Sequence, residues 1–403
     1  MPSDIPQYNI APLTRQSPPL DLSSPLEIDP AFIRGKTIVI TGGASGFGAG
    51  FFKQWASHGA NVIIGDINVS AGEELVAQVR RGTNNPNHHF IHLDVTSWKS
   101  QVDFFREAVR LSPHHGIDTV VANAGINDPE DSYVFENPKI DYENDPNPPP
   151  PRFRTLDVNL TGVLYTTHLA LFYLERNPGS KPCSSTSPPG ERDRHLILVG
   201  SVASLCPLIT QAPYSISKHG VLGLFRCLRA SVPITKGIRV NMLCPYFIDT
   251  PILNVGARVA LAGGAMGVPE DVVQAATYFV SRPDIIGRAV VVGPKVKVRV
   301  PVDQDGLTAL AGADRLPRLE DLFEIVDPAK HAATQEGKDG VVQDRAIWEI
   351  HAHDFEQVDL FTYRLVNLLN AFGAARGWYG FIADIVAALT RPLTRLWYGS
   401  ARN

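Results

Sequence analysis

A tyrosine and a lysine in the segment "YSISK" have the types and the spacing of a proton-transfer pair. Tyr214 and Lys218 stand at positions i and i+4, which share one face of a helix. A lysine ammonium or a positively charged nicotinamide ring favours the phenolate and lowers a tyrosine pKa from its usual value of about 10. Tyr214 is therefore a candidate to take the proton of an alcohol while a hydride leaves for a cofactor. The alternative is an ordinary helical turn.

Two polar residues upstream complete the candidate catalytic group. Ser201 ends the predicted strand "HLILVGS", and its hydroxyl can hold a substrate oxygen. Asn159 lies in "DVNLTG", inside a predicted long helix. Its buried amide can bind a water that links the lysine to solvent. The alternative for Asn159 is a hydrogen bond that bends the helix.

The segment "TGGASGFG" is typical of a turn that binds a dinucleotide. It places Gly42, Gly46 and Gly48 between a predicted strand and a predicted helix, with Ser45 and Phe47 among them. Glycines there let the backbone approach a pyrophosphate at the positive end of the helix. Glycine-rich turns are common, so the spacing alone is weak evidence. The strand before the turn and the helix after it favour a cofactor site.

Asp66 ends the second predicted strand and bears on the choice of cofactor. A carboxylate there accepts hydrogen bonds from the adenine-ribose hydroxyls and repels a 2′-phosphate. Neither Ser45 nor Ile67 is a cation that could offset the repulsion. The sequence therefore favours NAD over NADP. Ile67, the next residue, is also predicted to contact the cofactor. The alternative is that Asp66 is a solvated residue at a strand end.

Further cofactor candidates follow the third and fourth predicted strands. Asp94 and Val95 lie in "LDV", where the acidic side chain can meet the adenine edge. Asn123, Ala124 and Gly125 form "NAG" at the end of the next strand. Ligands of open α/β sheets bind at the carboxyl ends of the strands, and all these residues stand there.

The elements that must position these residues alternate strand and helix. Seven predicted strands are "TIVIT", "NVIIGD", "HFIHLDV", "TVVANAG", "HLILVGS", "IRVNMLCP" and "GRAVVVG". Helix-like segments separate them, and right-handed crossovers place helices on both faces of such a sheet. The predicted fold is α/β, a Rossmann-type, doubly wound, seven-stranded parallel sheet.

We predict three regions along the chain: a flexible leader over residues 1–32, the Rossmann-type domain over 33–300, and a mainly helical extension over 301–403. Polar, proline-rich surface loops interrupt the domain at "DPEDSYVFENPKIDYENDPNPPPPRF" and "NPGSKPCSSTSPPGERDR". Within the extension, the spacing of "DRAIWEIHAHDFEQVDLFTYRLVNLLNAFGAARG" is helix-like. The apolar "WYGFIADIVAALTRPLTRLWYG" is interpreted as a helix packed on its own core, with a dimer contact or an interfacial membrane helix as alternatives.

Composition excludes several classes of protein. The 37 Lys and Arg against 41 Asp and Glu give a net charge of −4, which argues against a nucleic-acid-binding surface. The chain has neither a secretory signal nor the run of about 20 apolar residues of a membrane span, so a cytoplasmic protein is expected. Its 4 cysteines form no CxxC pair and no metal-site spacing, so we expect no metal.

Taken together, the segments "TGGASGFG", "LDV", "NAG", "DVNLTG", "YSISK" and "CPYFIDTP" resemble the short-chain dehydrogenase/reductase family over residues 33–300. The resemblance implies a catalytic tetrad of Asn159, Ser201, Tyr214 and Lys218. Tyr214 would be the acid/base, and Lys218 would lower its pKa and hold the nicotinamide ribose. Ser201 would position the substrate oxygen, and Asn159 would support a proton-relay water.

The segment "CPYFIDTP" refines the resemblance. Pro245, Ile248 and Thr250 match the family segment that lines the nicotinamide carboxamide, whereas Tyr246 stands where the family usually has glycine. The segment is similar to the NAD-dependent hydroxyprostaglandin dehydrogenase branch and to fungal dehydrogenases of secondary metabolism that oxidise polyketide alcohols. Homo-oligomers are common in the family, although the extension could cover the usual contact helices.

The resulting functional prediction is an NAD-dependent oxidoreductase. It would act on a secondary alcohol, or the matching ketone, of an apolar substrate. The small, nearly uncharged segment "ILNVGARVALAGGAMGV" would cover that substrate as a mobile lid, or is simply a flexible loop. An NADP-dependent ketoreductase and a non-catalytic NAD-binding scaffold are the alternatives.

Overall fold

The computed structural model describes most of the predicted Rossmann-type domain. Described are residues 17, 20–22, 25–138, 141–250, 266–300, 324–325, 341–350, 377–379 and 382. The chain divides into two compact units, Met1–His353 and Asp354–Asn403. The predicted substrate cover at 251–265 and most of the predicted extension lie outside the described residues.

Seven parallel strands form the central sheet, as the alternating sequence pattern predicts. They are β1 Thr37–Thr41, β2 Asn61–Asp66, β3 His89–His92, β4 Thr119–Ala122, β5 Arg194–Val199, β6 Ile238–Pro245 and β7 Ala289–Val300. Their order is β3-β2-β1-β4-β5-β6-β7, and all six pairings are parallel. The chain reverses direction across the sheet between β1 and β4, which opens a crevice at the carboxyl edge.

Helices pack against both faces of this sheet. They are α1 Gly46–Ser57, α2 Val69–Thr83, α3 Trp98–Leu111, α4 Pro129–Glu136, α5 Val163–Glu175, α6 Ala212–Thr235 and α7 Pro269–Ser281. Successive residues of a strand point to opposite faces. In β1, Ile38 and Ile40 therefore join one buried cluster with Trp55, while Val39 joins a second cluster with Phe104. The doubly wound fold class is confirmed.

Two antiparallel strands extend the sheet beyond β7. They are β8 Glu324–Ile325 and β9 Val341–Ile350, and both pair with β7. The segment Asp344–Ile350, whose spacing we interpreted as helical, is therefore a strand. An edge strand offers a row of unpaired backbone groups, and β9 satisfies them along β7. Ala346 and Ile347 join the buried cluster that contains Trp55.

Described residues of the predicted leader contact the same side of the domain. The Ser17 amide donates to the Ile286 carbonyl at 3.0 Å, and the Leu20 amide donates to a Glu349 carboxylate oxygen at 2.8 Å. Leu22 is buried. These contacts join the N-terminal segment to β9 and to the turn before β7.

Candidate active site

The glycine-rich turn between β1 and α1 is shaped by close backbone approaches. A Cβ at Gly42 would lie 2.7 Å from the Ala124 Cα, and one at Gly48 would lie 2.2 Å from the Gly42 carbonyl oxygen. Gly46 differs: its φ is +51°, and no heavy atom lies within 4 Å of its Cβ position. Gly42 and Gly48 therefore let the turn pack, while Gly46 keeps open the space in front of α1.

The N-terminus of α1 is open to an anionic group. Ser45 is the N-cap residue, and its side chain makes no capping hydrogen bond. Amide groups in the first turn of a helix bind phosphate well. Phe47, in that turn, points back toward the core and stacks on Phe51 with ring centroids 6.4 Å apart. The open space at Gly46 and the uncapped helix end fit the pyrophosphate of a dinucleotide.

The Asp66 carboxylate lies beside the turn, at the end of β2. One oxygen accepts the Ala44 amide and the other accepts the Asn68 amide, each at 3.0 Å. Asp66 is half-buried, while the adjoining Ile67 side chain is 67% exposed. Asp66 thus fixes the turn and also presents negative charge at the predicted ribose position. The alternative of a merely solvated residue does not account for the bond to Ala44.

Asn123 joins the end of β4 to the glycine-rich turn. Its side-chain amide donates to the carbonyls of Thr41 and Gly42 at 3.0 and 2.9 Å. The Thr41 hydroxyl accepts the backbone amides of Asn123 and Ala124, each at 3.1 Å. Gly125 follows, and a Cβ there would lie 3.2 Å from Asn159 Oδ1. The "NAG" segment therefore touches both the turn and the candidate catalytic group.

Asp94 and Val95 have mainly local roles in the structure. One Asp94 oxygen accepts the amide and hydroxyl of Thr96 at 2.9 and 2.7 Å. Val95 is buried, and its carbonyl accepts the Gln101 side chain at 2.8 Å. Both residues stand after β3 at the carboxyl edge. Their contact with a cofactor stays a prediction.

Tyr214 and Lys218 lie in the first turns of α6, on one face as predicted. The Lys218 ammonium is buried, donates to the Val199 carbonyl at 3.2 Å and lies 5.8 Å from the centre of the Tyr214 ring. Ser201 follows β5, and its side chain lies near that of Tyr214. The fold therefore brings these three predicted catalytic side chains together.

Burial dominates the electrostatics of this pair. It lowers the pKa of Lys218 to about 8. It also raises the pKa of Tyr214, and the nearby Ser201 side chain offsets part of that rise. We expected a lowered tyrosine pKa. In the protein alone the loss of solvation of the phenolate outweighs the influence of Ser201.

Asn159 holds the segment after β4 and lies near Lys218, since a Cβ at Gly125 would be 3.2 Å from Asn159 Oδ1 and 3.6 Å from Lys218 Nζ. Its Oδ1 accepts the Ile126 amide at 2.8 Å, and its Nδ2 donates to the Ile126 carbonyl at 2.7 Å and to the Ser217 hydroxyl at 3.3 Å. It lies in a π-helical stretch, Asp157–Gly162, just before α5. Such stretches widen the helix and are frequent at functional sites. The side-chain amide is engaged by protein groups, and a relay water stays a prediction.

The segment after β6 contains the residues predicted to line the nicotinamide. Pro245 ends β6, and the Tyr246 amide donates to the Val292 carbonyl at 2.8 Å. Ile248 and Thr250 are both buried, and Ile248 pairs with Gly267.

Several residues of the site were missed by sequence reasoning. Ser204 and Cys244 lie directly behind Ser201, and Ser217 contacts Asn159. The spacing of Ser201 and Ser204 matches the capping-box pattern, which is a usable signal. Cys244 gave no signal, because a cysteine in a buried strand looks like any small apolar residue.

An open cavity of about 510 Å³ lies on the other side of α6. Its lining includes Pro207, Leu208, Ala212, Ile216 and His219. Helical spacing places the last three on the face opposite Tyr214 and Lys218. This cavity is therefore separate from the predicted catalytic group.

In the described part of the chain, no group of three or more His, Cys, Asp or Glu side chains is arranged to hold a metal ion. Among the helices described, none has the length and apolarity needed to cross a membrane.

A parallel sheet with a glycine-rich turn after β1 and a Tyr–Lys pair on α6 defines a class of nicotinamide-dependent oxidoreductases. The family model described as short chain dehydrogenase matches residues 36–257. The chain belongs to this family. The prediction of an oxidoreductase that acts on hydroxyl or keto groups is confirmed.

Relatives of both predicted branches match the chain. The 5'-hydroxyaverantin dehydrogenase of Dothistroma septosporum is 36% identical over 281 residues, 66% of this chain and 87% of the relative. The 15-hydroxyprostaglandin dehydrogenase [NAD(+)] of Mus musculus is 31% identical over 224 residues, 55% of this chain and 71% of the relative. The NADP-dependent dehydrogenase clz5 of Cochliobolus lunatus is 32% identical over 272 residues, 64% of this chain and 89% of the relative.

A solved structure supports the fold. The 3-ketoacyl-(acyl-carrier-protein) reductase from Brucella melitensis complexed with NADH has a TM-score of 0.51 and 24% sequence identity. The match covers 64% of this chain and 97% of that chain. The part of this chain outside the match is similar in length to the two predicted terminal regions, 1–32 and 301–403, taken together.

Proposed function

We propose that this protein is an NAD-dependent oxidoreductase that converts between a secondary alcohol and a ketone on an apolar substrate. The observation that carries the proposal is the meeting of Ser201, Tyr214 and Lys218 at the carboxyl edge of the sheet, beside Gly125. The predicted cofactor residues stand along the same edge. The relatives' substrates, named for hydroxyaverantin and hydroxyprostaglandin, support an apolar alcohol.

In the proposed mechanism, Tyr214 accepts the hydroxyl proton of the alcohol and returns it in the reverse direction. Ser201 holds the substrate oxygen near the Tyr214 hydroxyl. The buried Lys218 ammonium stabilises the phenolate and lies close enough to Gly125 to meet the ribose side of a cofactor. A bound nicotinamide would supply the acceptor for the hydride of the alcohol carbon, with the ketone as product.

The cofactor would be held from three sides. The pyrophosphate would lie at the N-terminus of α1 beside Gly46, and the adenine ribose would lie against Asp66. Asp94, Val95 and Ile67 would flank the adenine. Pro245, Ile248 and Thr250 would line the carboxamide side. The Asp66 carboxylate supports NAD, because a 2′-phosphate at that position would meet a like charge.

An NADP-dependent ketoreductase is the second candidate. The observation in its favour is the match to a fungal relative named as an NADP-dependent dehydrogenase. A preference for NAD of at least about tenfold in kcat/KM, which is about 1.4 kcal/mol, is expected if Asp66 decides the choice. A preference for NADP would replace the leading proposal by this one.

The test is a steady-state assay of purified protein with NAD or NADP and a panel of apolar secondary alcohols. We expect turnover with NAD, followed by the absorbance of the reduced nicotinamide. Tyr214→Phe should reduce kcat by at least about 100-fold, because general acid–base catalysis is lost. NAD binding, followed by protein fluorescence, should persist in the variant.

Two outcomes contradict the proposal. Equal activity of Tyr214→Phe and wild type would remove Tyr214 from the chemistry. NAD binding without turnover on any alcohol or ketone of the panel would favour the non-catalytic scaffold. Homo-oligomer formation, a cytoplasmic location and the alternative roles of the C-terminal extension stay predictions.

A further inference from the structure

Ser204 lies behind the candidate catalytic group and contacts two of its members through their backbones. Its Oγ accepts the Ser201 amide at 3.2 Å and donates to the Lys218 carbonyl at 2.8 Å. The residue is completely buried. One hydroxyl therefore joins the turn after β5 to the second turn of α6.

The connection matters because Ser201 and Tyr214 come from different elements. Ser201 begins a short 3₁₀ turn, Val202–Ser204, that forms a capping box with Ser204 at its end. Within this turn the Ser201 hydroxyl oxygen accepts the Ala203 amide at 3.1 Å. That bond uses a lone pair of Ser201 and leaves its proton for Tyr214 or a substrate oxygen.

The surroundings of Ser204 leave little room for an alternative arrangement. A Cβ at Gly200 would lie 2.8 Å from Ser204 Oγ, 3.2 Å from Cys244 Sγ and 2.2 Å from the Met242 methyl. Burial raises the pKa of Cys244 to about 12, so its thiol stays neutral and adds no charge beside Lys218. Ser204 is thus held between the ends of β5 and β6.

We propose that Ser204 is a positioning residue that holds the Ser201 hydroxyl against Tyr214 by tying the Ser201 turn to α6. This inference rests on the proposed function, since it assigns Ser204 to the same proton transfer. Loss of the Ser204 hydroxyl should change the Tyr214 pKa in one direction. The nearby Ser201 side chain favours the Tyr214 phenolate, so displacement of Ser201 should raise the tyrosine pKa.

The test compares Ser204→Ala with wild type and with Ser281→Ala. Ser281 is a matched control, because it is also completely buried and donates to a helix carbonyl, that of Tyr278 at 3.1 Å, within α7. We expect Ser204→Ala to lower kcat by roughly 10- to 100-fold, the scale of a misplaced catalytic group. NAD affinity should stay within about twofold. Ser281→Ala should leave kcat unchanged.

The pH profile separates positioning from simple destabilisation. In Ser204→Ala the pH at which alcohol oxidation reaches half its maximum should move upward, and the deuterium isotope effect on kcat should rise. A variant that merely contains less folded protein loses amplitude and keeps both values. A Ser204→Ala enzyme with the wild-type profile and isotope effect would overturn the inference.

A second measurement does not depend on turnover. The phenolate absorbance of the NAD-bound protein is titrated, with the curve of Tyr214→Phe subtracted, and Ser204→Ala should give a higher midpoint than wild type. If wild type turns over no alcohol, the proposed function fails while this titration still decides the role of Ser204. If Ser204→Ala does not fold, Ser204→Cys, which keeps a weak donor of similar size, should show a smaller shift in the same direction. An unshifted midpoint contradicts the inference.

Discussion

The two edges of the parallel sheet bury charge in opposite ways. At the amino edge, the Lys36 ammonium lies 2.5 Å from a carboxylate oxygen of Asp193, which also pairs with Arg239. All three side chains are almost completely buried. At the carboxyl edge, Lys218 is equally buried, but its ammonium donates to a backbone carbonyl. The structure gives Lys218 no carboxylate partner among the described residues.

The pKa values follow this difference. Burial alone would raise the pKa of Asp193, but the charges of Arg239 and Lys36 outweigh it and hold that pKa well below its usual range. Burial lowers the pKa of Lys218 to about 8. Charge at the amino edge is therefore neutralised and stabilising. The Lys218 charge at the carboxyl edge has no carboxylate partner among the described residues, which suits its proposed role of stabilising the Tyr214 phenolate.

Removal of the anion at the amino edge should give the largest change in stability. Asp193→Asn leaves Lys36 and Arg239 buried without their partner, and such a change costs about 3–5 kcal/mol. Chemical denaturation measures the free energy of unfolding. In wild type, the stabilisation that ionised Asp193 provides is fully present above the ordinary carboxyl pKa of 3.8. It is lost as the pH falls toward the folded-state pKa of Asp193, which is lower.

The control for this prediction is cofactor binding. Folded Asp193→Asn protein should bind NAD as wild type does, since Asp193 lies at the opposite edge from the glycine-rich turn. A loss of less than about 1 kcal/mol would contradict the view that the amino edge stabilises the fold through paired charges.

Replacement of the lysine at the carboxyl edge should act in the opposite direction. Lys218→Met removes a buried cation, so the free energy of unfolding near neutral pH should rise by up to about 3 kcal/mol, at 1.36 kcal/mol per pH unit of pKa shift. Catalysis should fall by at least about 100-fold. A more stable and inactive variant would show that Lys218 is retained at the expense of stability.

The pH dependence gives the sign of this effect. The pKa of Lys218 is about 8 in the folded protein against an ordinary 10.5, so the unfolded chain binds more protons between these values. Wild-type stability should therefore rise with pH across that window, relative to Lys218→Met. Equal slopes for the two proteins would show that the ammonium is not destabilised by burial.

The contrast between the edges also separates what the sequence could predict from what it could not. The glycine-rich turn, Asp66 and the Tyr214–Lys218 pair were found because each stands at a strand end or at helical spacing, which are local signals. The pairing of Lys36 with Asp193 joins residues 157 positions apart, and in the sequence both look like solvated loop residues. Such pairings depend on the folded sheet and leave no local pattern.

Strand β9 was missed for the same reason. Its partner β7 lies about fifty residues upstream, and the register runs from Val341 opposite Val300 to Ile350 opposite Ala289. The apolar spacing of "DRAIWEI" fits a helix as well as a strand, and a short apolar run does not decide between them. The unpaired edge of β7 favours a strand here, because β9 can pair with it, and no local sequence pattern reveals that edge.

The smallest effect should come from a charge pair that belongs to neither edge. Lys99 and Asp103 are 2.5 Å apart on α3, with side chains 86% and 50% exposed. Water and salt screen such a pair, so Asp103→Asn should change the free energy of unfolding by at most about 0.5 kcal/mol. Denaturation alongside Asp193→Asn makes the comparison direct, because both variants remove one carboxylate from a lysine at the same distance. Similar losses in the two variants would mean that burial does not set the strength of these pairs, and the contrast between the edges would then need another cause.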